Sequence, residues 1–192
     1  EGREITLAIA PPTARTLSEA ACGGRMWGLA AQIYGLRTRG DGGIGHFGAV
    51  AQLAESAARR GADLVALSPA HALFLADENH YTPYSPSSRL FYNALHADPA
   101  DVFGAERAAS VAAGIETDAP DASALIDWPR AGRTKARLLR ALYEDFCAGD
   151  LKSSSALAVD FLAFRAEGGE ALEAHALFEA LHAREFRRDF AK

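Results

Sequence analysis

A chain of 192 residues and 20.4 kDa, with 20 basic and 25 acidic side chains for a net charge of −5, has room for one domain with a sizeable core and offers no general attraction to nucleic acid. Its 49% hydrophobic and 23% charged content excludes a disordered chain, and no apolar run approaches the roughly 18 residues that a membrane-spanning helix needs. Two cysteines, Cys22 and Cys147, are too few for a disulfide scaffold and favour a reducing compartment, the cytoplasm.

In chain order, residues 5–10 read as a short strand stopped by Pro11 and Pro12, with acidic flanks and an apolar patch too short for a secretory signal. Residues 13–24 read as a small-residue linker. The apolar run 26–34 predicts a buried strand, followed by a loop with Gly35, Gly40, Gly42, Gly43 and Gly45. Each ordered glycine costs backbone entropy, so such a loop is either mobile or makes unusual turns beside a ligand. Phe47, Val50, Ala51, Ala54, Ala57 and Ala58 then recur at helical spacing and Gly61 stops the pattern. Residues 62–68 form a second short strand closed by Pro69, which completes a βαβ unit and predicts an α/β fold with a parallel sheet.

Residues 69–99 are rich in histidine, tyrosine, proline and serine, with one extended segment expected at 90–97. A long loop at the carboxyl end of a parallel strand is where α/β proteins place their sites. Asp98 and Pro99 give a helix cap and first-turn residue, and the chain beyond them turns mainly helical. Residues 115–132 read as irregular. Leu138, Leu139, Leu142, Tyr143 and Phe146 stripe one helix up to Gly149; Leu157, Phe161 and Phe164 stripe a second up to Gly168 and Gly169; Leu172, Ala176, Leu177, Phe178 and Leu181 stripe a third. Two strands are too few for a complete doubly wound domain, and a barrel of eight units needs roughly 250 residues. With no initiating methionine and no winding-down composition, the chain reads as an amino-terminal piece of something larger.

The residues supply few reactive groups. The glycine loop lacks the dinucleotide fingerprint and any following lysine-serine pair, and Asp41 repels phosphate. His71 and His80, with Asp77 and Glu78 between them, form no compact metal motif. Ser85, Ser87 and Ser88 lack the glycines of a nucleophile elbow, and turn hydroxyls usually bond backbone groups. Of the carboxylates Asp41, Asp63, Asp77 and Glu78, none has a neighbour arranged to separate two pKa values. No metal or cofactor is therefore expected. What remains is a surface suited to sugar: Tyr34, Tyr81 and Tyr84 amid Asn79, Thr82 and Ser85.

Four stretches in order carry a family resemblance. Residues 27–37, residues 43–48, residues 61–74 and residues 83–89 (Pro83-Tyr84-Ser85-Pro86-Ser87-Ser88-Arg89) resemble the opening of the catalytic barrel of 4-alpha-glucanotransferases, the amylomaltase or disproportionating enzymes of glycoside hydrolase family 77. The likeness continues more loosely through Asp127-Trp128-Pro129, 161–165 and 169–173, and residues 5–12 resemble the end of the domain that precedes the barrel. The resemblance implies an incomplete (β/α)8 TIM barrel: 1–25 ending a preceding domain, 26–98 the first βα units with substrate loops, 99–192 a helical insert. It also implies transfer of α-1,4-glucan segments between maltooligosaccharides through a covalent glucosyl-aspartate, with a glutamate as acid and base and a second aspartate binding the distorted sugar. Those three carboxylates belong to later strands in the family, so no residue here inherits them.

Substrate-binding residues do carry over. Tyr84 matches the tyrosine that stacks under the sugar beside the scissile bond, Thr82 replaces a glucan-contacting serine, and Ser85 lies beside them. Asp41-Gly42 stands where the family commonly has asparagine-tryptophan, and His46 where an aspartate is usual, which leaves the sugar contacts of the 35–45 loop open. The expectations are an enzyme as the complete protein and an inactive isolated chain that self-associates or swaps elements through its open sheet edges. Two other readings stay open: a non-catalytic carbohydrate-binding fragment, and a hydrolase of the wider α-amylase type.

Overall fold

The computed structural model describes residues 7–21, 24–38, 40–115 and 125–189. The linker holds one turn of helix, α1 (Leu17–Ala20), nucleated by a capping box: Thr16 Oγ1 accepts from the Glu19 amide, and Glu19 Oε2 accepts from the Thr16 amide. Strand β1 (Gly28–Ala31) pairs in parallel with β2 (Leu64–Leu67), register Gly28↔Leu64 to Ala31↔Leu67, and α2 (Phe47–Ala58) crosses between them. This is the expected βαβ unit. A second, antiparallel pair follows: β3 (His71–Ala72) against β4 (Ser88–Tyr92), with an irregularity between the two ladder positions. The rest is helical: α3 (Pro99–Phe103), α4 (Ala105–Ala113), α5 (Trp128–Ala148), α6 (Asp150–Ser153) and α7 (Ala156–Asp189). Helices with two small sheets make a mixed α/β chain, and among the described residues no helix is long and apolar enough to cross a membrane.

Several expectations need correction. Leu7 and Ile9 are exposed and no strand forms over 7–10, because no described strand pairs with that backbone; Ile5 and Thr6 lie outside the described residues. The run 26–34 is not one buried strand. Its β1 portion is largely exposed, and the chain tightens into a 3-10 turn at Ile33–Gly35 that buries Ile33 completely. Residues 90–97 likewise divide, with β4 ending at Tyr92 and a 3-10 turn at Ala94–His96 capped by the Asn93 side chain on the Leu95 amide.

The stretch 115–132 is not irregular throughout, since α5 begins at Trp128 and takes in 128–132; residues 116–124 lie outside the described part. Asp127 caps the Arg130 amide and Pro129 sits in the first turn, the same aspartate-and-proline signal that starts α3. The third helical stripe is also misplaced. Leu177 and Leu181 are well exposed, whereas His175, Glu179 and one side of the Phe178 ring face the protein.

The glycine loop is ordered and built around a buried carboxylate. Asp41 Oδ2 accepts from the Thr38 amide at 2.7 Å and from Arg37 Nε at 2.8 Å, while Oδ1 accepts from the Gly43 amide at 2.8 Å. Gly40, Gly42 and Gly43 all take positive φ (82°, 73° and 99°), which explains most of the glycine density. Gly45 has another reason: a Cβ there would collide with the carbonyls of Ile33 and Leu36, whose turn it packs against. The loop is seated on α5, with Ala131 behind Gly43 and the Lys135 stem behind Gly42.

Around this seat lies a buried polar cluster of Asp41, His46, Asn93, His96 and Lys135. His96 Nδ1 donates to the Gly45 carbonyl at 2.9 Å. His46 Nε2 and Thr38 Oγ1 share a hydrogen bond of 2.9 Å, and His46 Nδ1 lies 3.0 Å from Asp98 Oδ2 but off the line of a hydrogen bond. Burial pushes the His96 pKa below its usual value, against the bond to Gly45, and the positive charge of Lys135 adds to the lowering. For Asp41, burial acts to raise the pKa, but the bonds from Arg37, Gly43 and Thr38 together outweigh it and bring the value down.

Two outcomes are expected. Gly45→Ala destabilises by more than ~3 kcal/mol or prevents folding, whereas Gly40→Ala, whose Cβ meets nothing within 4 Å, costs only ~1 kcal/mol for its backbone; thermal unfolding compares them. Stability also falls as pH drops below about 6.5, because the unfolded chain protonates His96 before the folded protein does. A second loss follows below about pH 4, where the unfolded chain protonates Asp41 first. Unfolding midpoints against pH, with the upper limb weaker in His96→Gln, check both signs.

Candidate functional site

The loop between β3 and β4 follows β2 in the chain, starts after Ala72, turns through Asp77–Asn79 and 82–85, and returns at Ser87. Its backbone closes locally. Asp77 Oδ1 accepts from the Asn79 amide, and Thr82 Oγ1 accepts from the Tyr84 amide at 3.4 Å. His80 Nε2 donates to the Ser85 carbonyl at 2.8 Å while its ring lies edge-on to Phe74. Across this turn Tyr84 is left 72% exposed. Thr82 and Ser85 beside it are also exposed, so the three residues singled out from sequence share one open turn.

Helix α5 supplies the opposite wall. The Trp128 ring stacks flat on Tyr81, with centroids 4.9 Å apart and planes 5° from parallel, and Tyr34 meets it edge-on at 5.0 Å. One turn further along, Arg133 Nη1 donates to Glu78 Oε2 at 2.6 Å. Between loop and helix lies a cleft of about 160 Å³ whose walls include Phe74, Tyr81, Leu95, Trp128 and Arg133. An apolar, ring-lined slot with ionic groups at its margin suits a ligand that combines C–H faces and hydroxyls. Trp128 is the residue that sequence reasoning passed over as a site. Its signal was the Asp127-Trp128-Pro129 cap, which fixes that ring at the start of a helix.

The carboxylates are engaged in building the fold. Asp41 is buried under three hydrogen bonds, Asp63 Oδ2 accepts from the Trp27 amide at 3.0 Å, Asp77 closes a turn and Glu78 holds Arg133. His71 stands in β3 opposite Tyr92, away from the role taken by His80. Among the described residues no three histidine, cysteine or carboxylate side chains converge as a metal site. Cys147 is a free thiol, and Cys22 lies outside the described residues. The serines divide: Ser87 and Ser88 bond backbone groups, and Ser85 turns outward with Tyr84. The arrangement can hold a ligand on aromatic faces, while Asp41, Asp63, Asp77 and Glu78 are taken up by structural partners.

Replacement of Tyr81 by leucine is expected to abolish the near-ultraviolet dichroism of the Trp128 stack, read in a Trp27→Phe background. Stability falls by ~0.5–1.5 kcal/mol beyond the loss of area. A change no larger than that of Tyr84→Leu counts against a stack that holds the loop.

The profile of the 4-alpha-glucanotransferase family matches residues 31–192. The 4-alpha-glucanotransferase of Haemophilus influenzae is 41% identical over 87 residues, which span 45% of this chain and 12% of that protein. Those of Mycobacterium bovis and Mycobacterium tuberculosis are 39% identical over 87 residues, 42% of this chain and 12% of theirs. The aligned part is thus a small fraction of each relative's length. The family profile, by contrast, takes in the βαβ unit from the end of β1, the tyrosine loop and every helix from α2 onward, and the chain belongs to the 4-alpha-glucanotransferase family.

Proposed function

We propose that the complete protein transfers α-1,4-glucan segments between maltooligosaccharides by a retaining double displacement, and that this chain contributes the glucan-contacting start of its catalytic barrel. In this reading residues 1–25 end a preceding domain, 26–98 are the first units of an incomplete (β/α)8 barrel, and 99–192 are a helical insert. Tyr84 stacks under a glucosyl ring, and Thr82 and Ser85 offer hydroxyls to the sugar beside it. The observation that carries the reading is a tyrosine ring 72% exposed on a turn whose backbone is otherwise closed by Thr82 and His80. A large aromatic ring held in the open at the carboxyl side of a parallel strand pair is poised for a planar, C–H-rich ligand face.

The chemistry of the complete protein then follows retaining glycoside logic. One carboxylate attacks the anomeric carbon while an acid protonates the departing glycosidic oxygen, and a glucan 4-hydroxyl, deprotonated by the same group, displaces the enzyme from the intermediate. Asp41, Asp63 and Glu78 are each committed to a structural partner, which supports an isolated chain that binds glucan without cutting it. Support for self-association comes from Leu29, Leu64, Leu67, Leu90 and Tyr92, which are apolar and exposed on the two short sheets.

The complete protein is expected to convert maltotriose into glucose and longer glucans, and the 192-residue chain to convert none. Titration of that chain with maltoheptaose is expected to show binding that Tyr84→Ala weakens about tenfold or more at unchanged far-ultraviolet dichroism. Conversion by the purified chain sinks the division of labour proposed here; intact affinity in Tyr84→Ala sinks the assignment of the tyrosine.

A further inference from the structure

The loop that carries Thr82, Tyr84 and Ser85 is held from two sides, and the second side is distant in sequence. Helix α5 grips its middle through Tyr81 on Trp128 and Glu78 on Arg133. Its two ends are gripped by one carboxylate of α7. Glu179 Oε2 accepts from the Leu75 amide at 3.4 Å, and Oε1 accepts from Ser87 Oγ at 3.0 Å. These contacts span 104 and 92 residues of chain. Ser87 in turn uses its amide to bond the Ala72 carbonyl at 2.8 Å, and its hydroxyl, shared between that carbonyl and Glu179, sits on the residue just before β4.

The helix face around Glu179 is built to lie there. His175, Phe178, Glu179 and His182 follow at spacings of three, one and three, which places them on one side of the helix. His175 stacks on Phe91 of β4 at 4.5 Å and 12°, while Phe178 and His182 contact Phe74 at 6.2 and 5.2 Å. Phe74 and Phe91 flank the loop at its two ends. The approach of this segment is set at Gly169, where φ 51° and ψ −148° break the helical path. An L side chain rarely adopts that backbone conformation.

We infer that Glu179 is a positioning residue for the glucan-contacting turn: its carboxylate ties the entry and exit of the tyrosine loop to the second half of α7 and so fixes where Tyr84 stands. The consequence for sugar binding rests on the proposed role of Tyr84; the tie itself does not. A charged acceptor with two donors is stronger than a neutral pair, and loss of both leaves the loop ends held by the Ser87 amide on Ala72 and by the ring contacts of Phe74 and Phe91.

The full 192-residue chain is tested by amide hydrogen exchange, read by mass spectrometry over residues 73–88, and by titration with maltoheptaose. In Glu179→Ala, exchange over 73–88 rises about tenfold, rates in β1, β2 and α5 stay unchanged, and maltoheptaose affinity falls about fivefold or more. Glu179→Gln, which keeps an accepting oxygen at the same reach, restores most of both. Ser87→Ala removes one arm with little change in volume and raises loop exchange about threefold, which decides the matter should Glu179→Ala fail to fold. Unchanged exchange over 73–88 overturns the tie. Faster exchange with intact maltoheptaose affinity, in a chain where Tyr84→Ala abolishes binding, overturns the positioning role and leaves the proposed function standing. Absence of binding by the unaltered chain removes the glucan reading of Tyr84, and exchange alone then decides the tie.

Discussion

The ammonium group of Lys135, carried into the interior on the first turns of α5, faces a problem that organises its surroundings. Burial works against its charge and lowers its pKa, while the charges of Asp98 and Asp41 act to restore it. A buried cation is tolerated only where anions stand near it. Asp41 is in the glycine loop, Asp98 at the cap of α3, and Lys135 on the helix that crosses both. Charges from three distant parts of the chain thus share one buried neighbourhood.

That junction decides where the site walls stand. With Gly42 and Gly43 seated on Lys135 and Ala131, the register of α5 is fixed, and Trp128 and Arg133 on neighbouring turns meet Tyr81 and Glu78. The same seating presses Gly45 against the turn at Ile33, which follows directly from β1. His46 reaches Thr38 from the start of α2 and so ties the glycine loop to the crossover helix. The loop suspected of touching ligand is thus a joint between sheet and helices. Gly40, Gly42 and Gly43 serve positive φ, Gly45 serves close approach, and the aspartate serves the loop's own amides.

Much of this architecture was legible in the residues. The helical spacing of Phe47 to Ala58 and its glycine stop gave α2, and the short apolar run before Pro69 gave β2, because local periodicity reflects which face is covered. The cap of α3 is legible in Asp98-Pro99, and the related Asp127-Trp128-Pro129 signal of α5 is obscured by a preceding stretch without periodicity. The misjudged stripes have a different cause. Leucines at 177 and 181 look like a core face, yet a helix buries what its neighbour matches, and the neighbour here offers Phe74, Phe91, a serine hydroxyl and a free amide.

By itself the sequence determined the βαβ unit, the family, and the turn on which Thr82, Tyr84 and Ser85 sit together, since each of these is written in residues close along the chain. Only tertiary structure decided that Lys135 is buried, that Asp41 builds a turn, that Trp128 lies under Tyr81, and that Glu179 reaches both ends of the tyrosine loop. A lysine, an aspartate or a glutamate has the same local preference whether it ends in solvent or among partners from far along the chain. Burial and charge pairing are properties of the folded neighbourhood, and in Glu179 that neighbourhood lies about ninety to a hundred residues away.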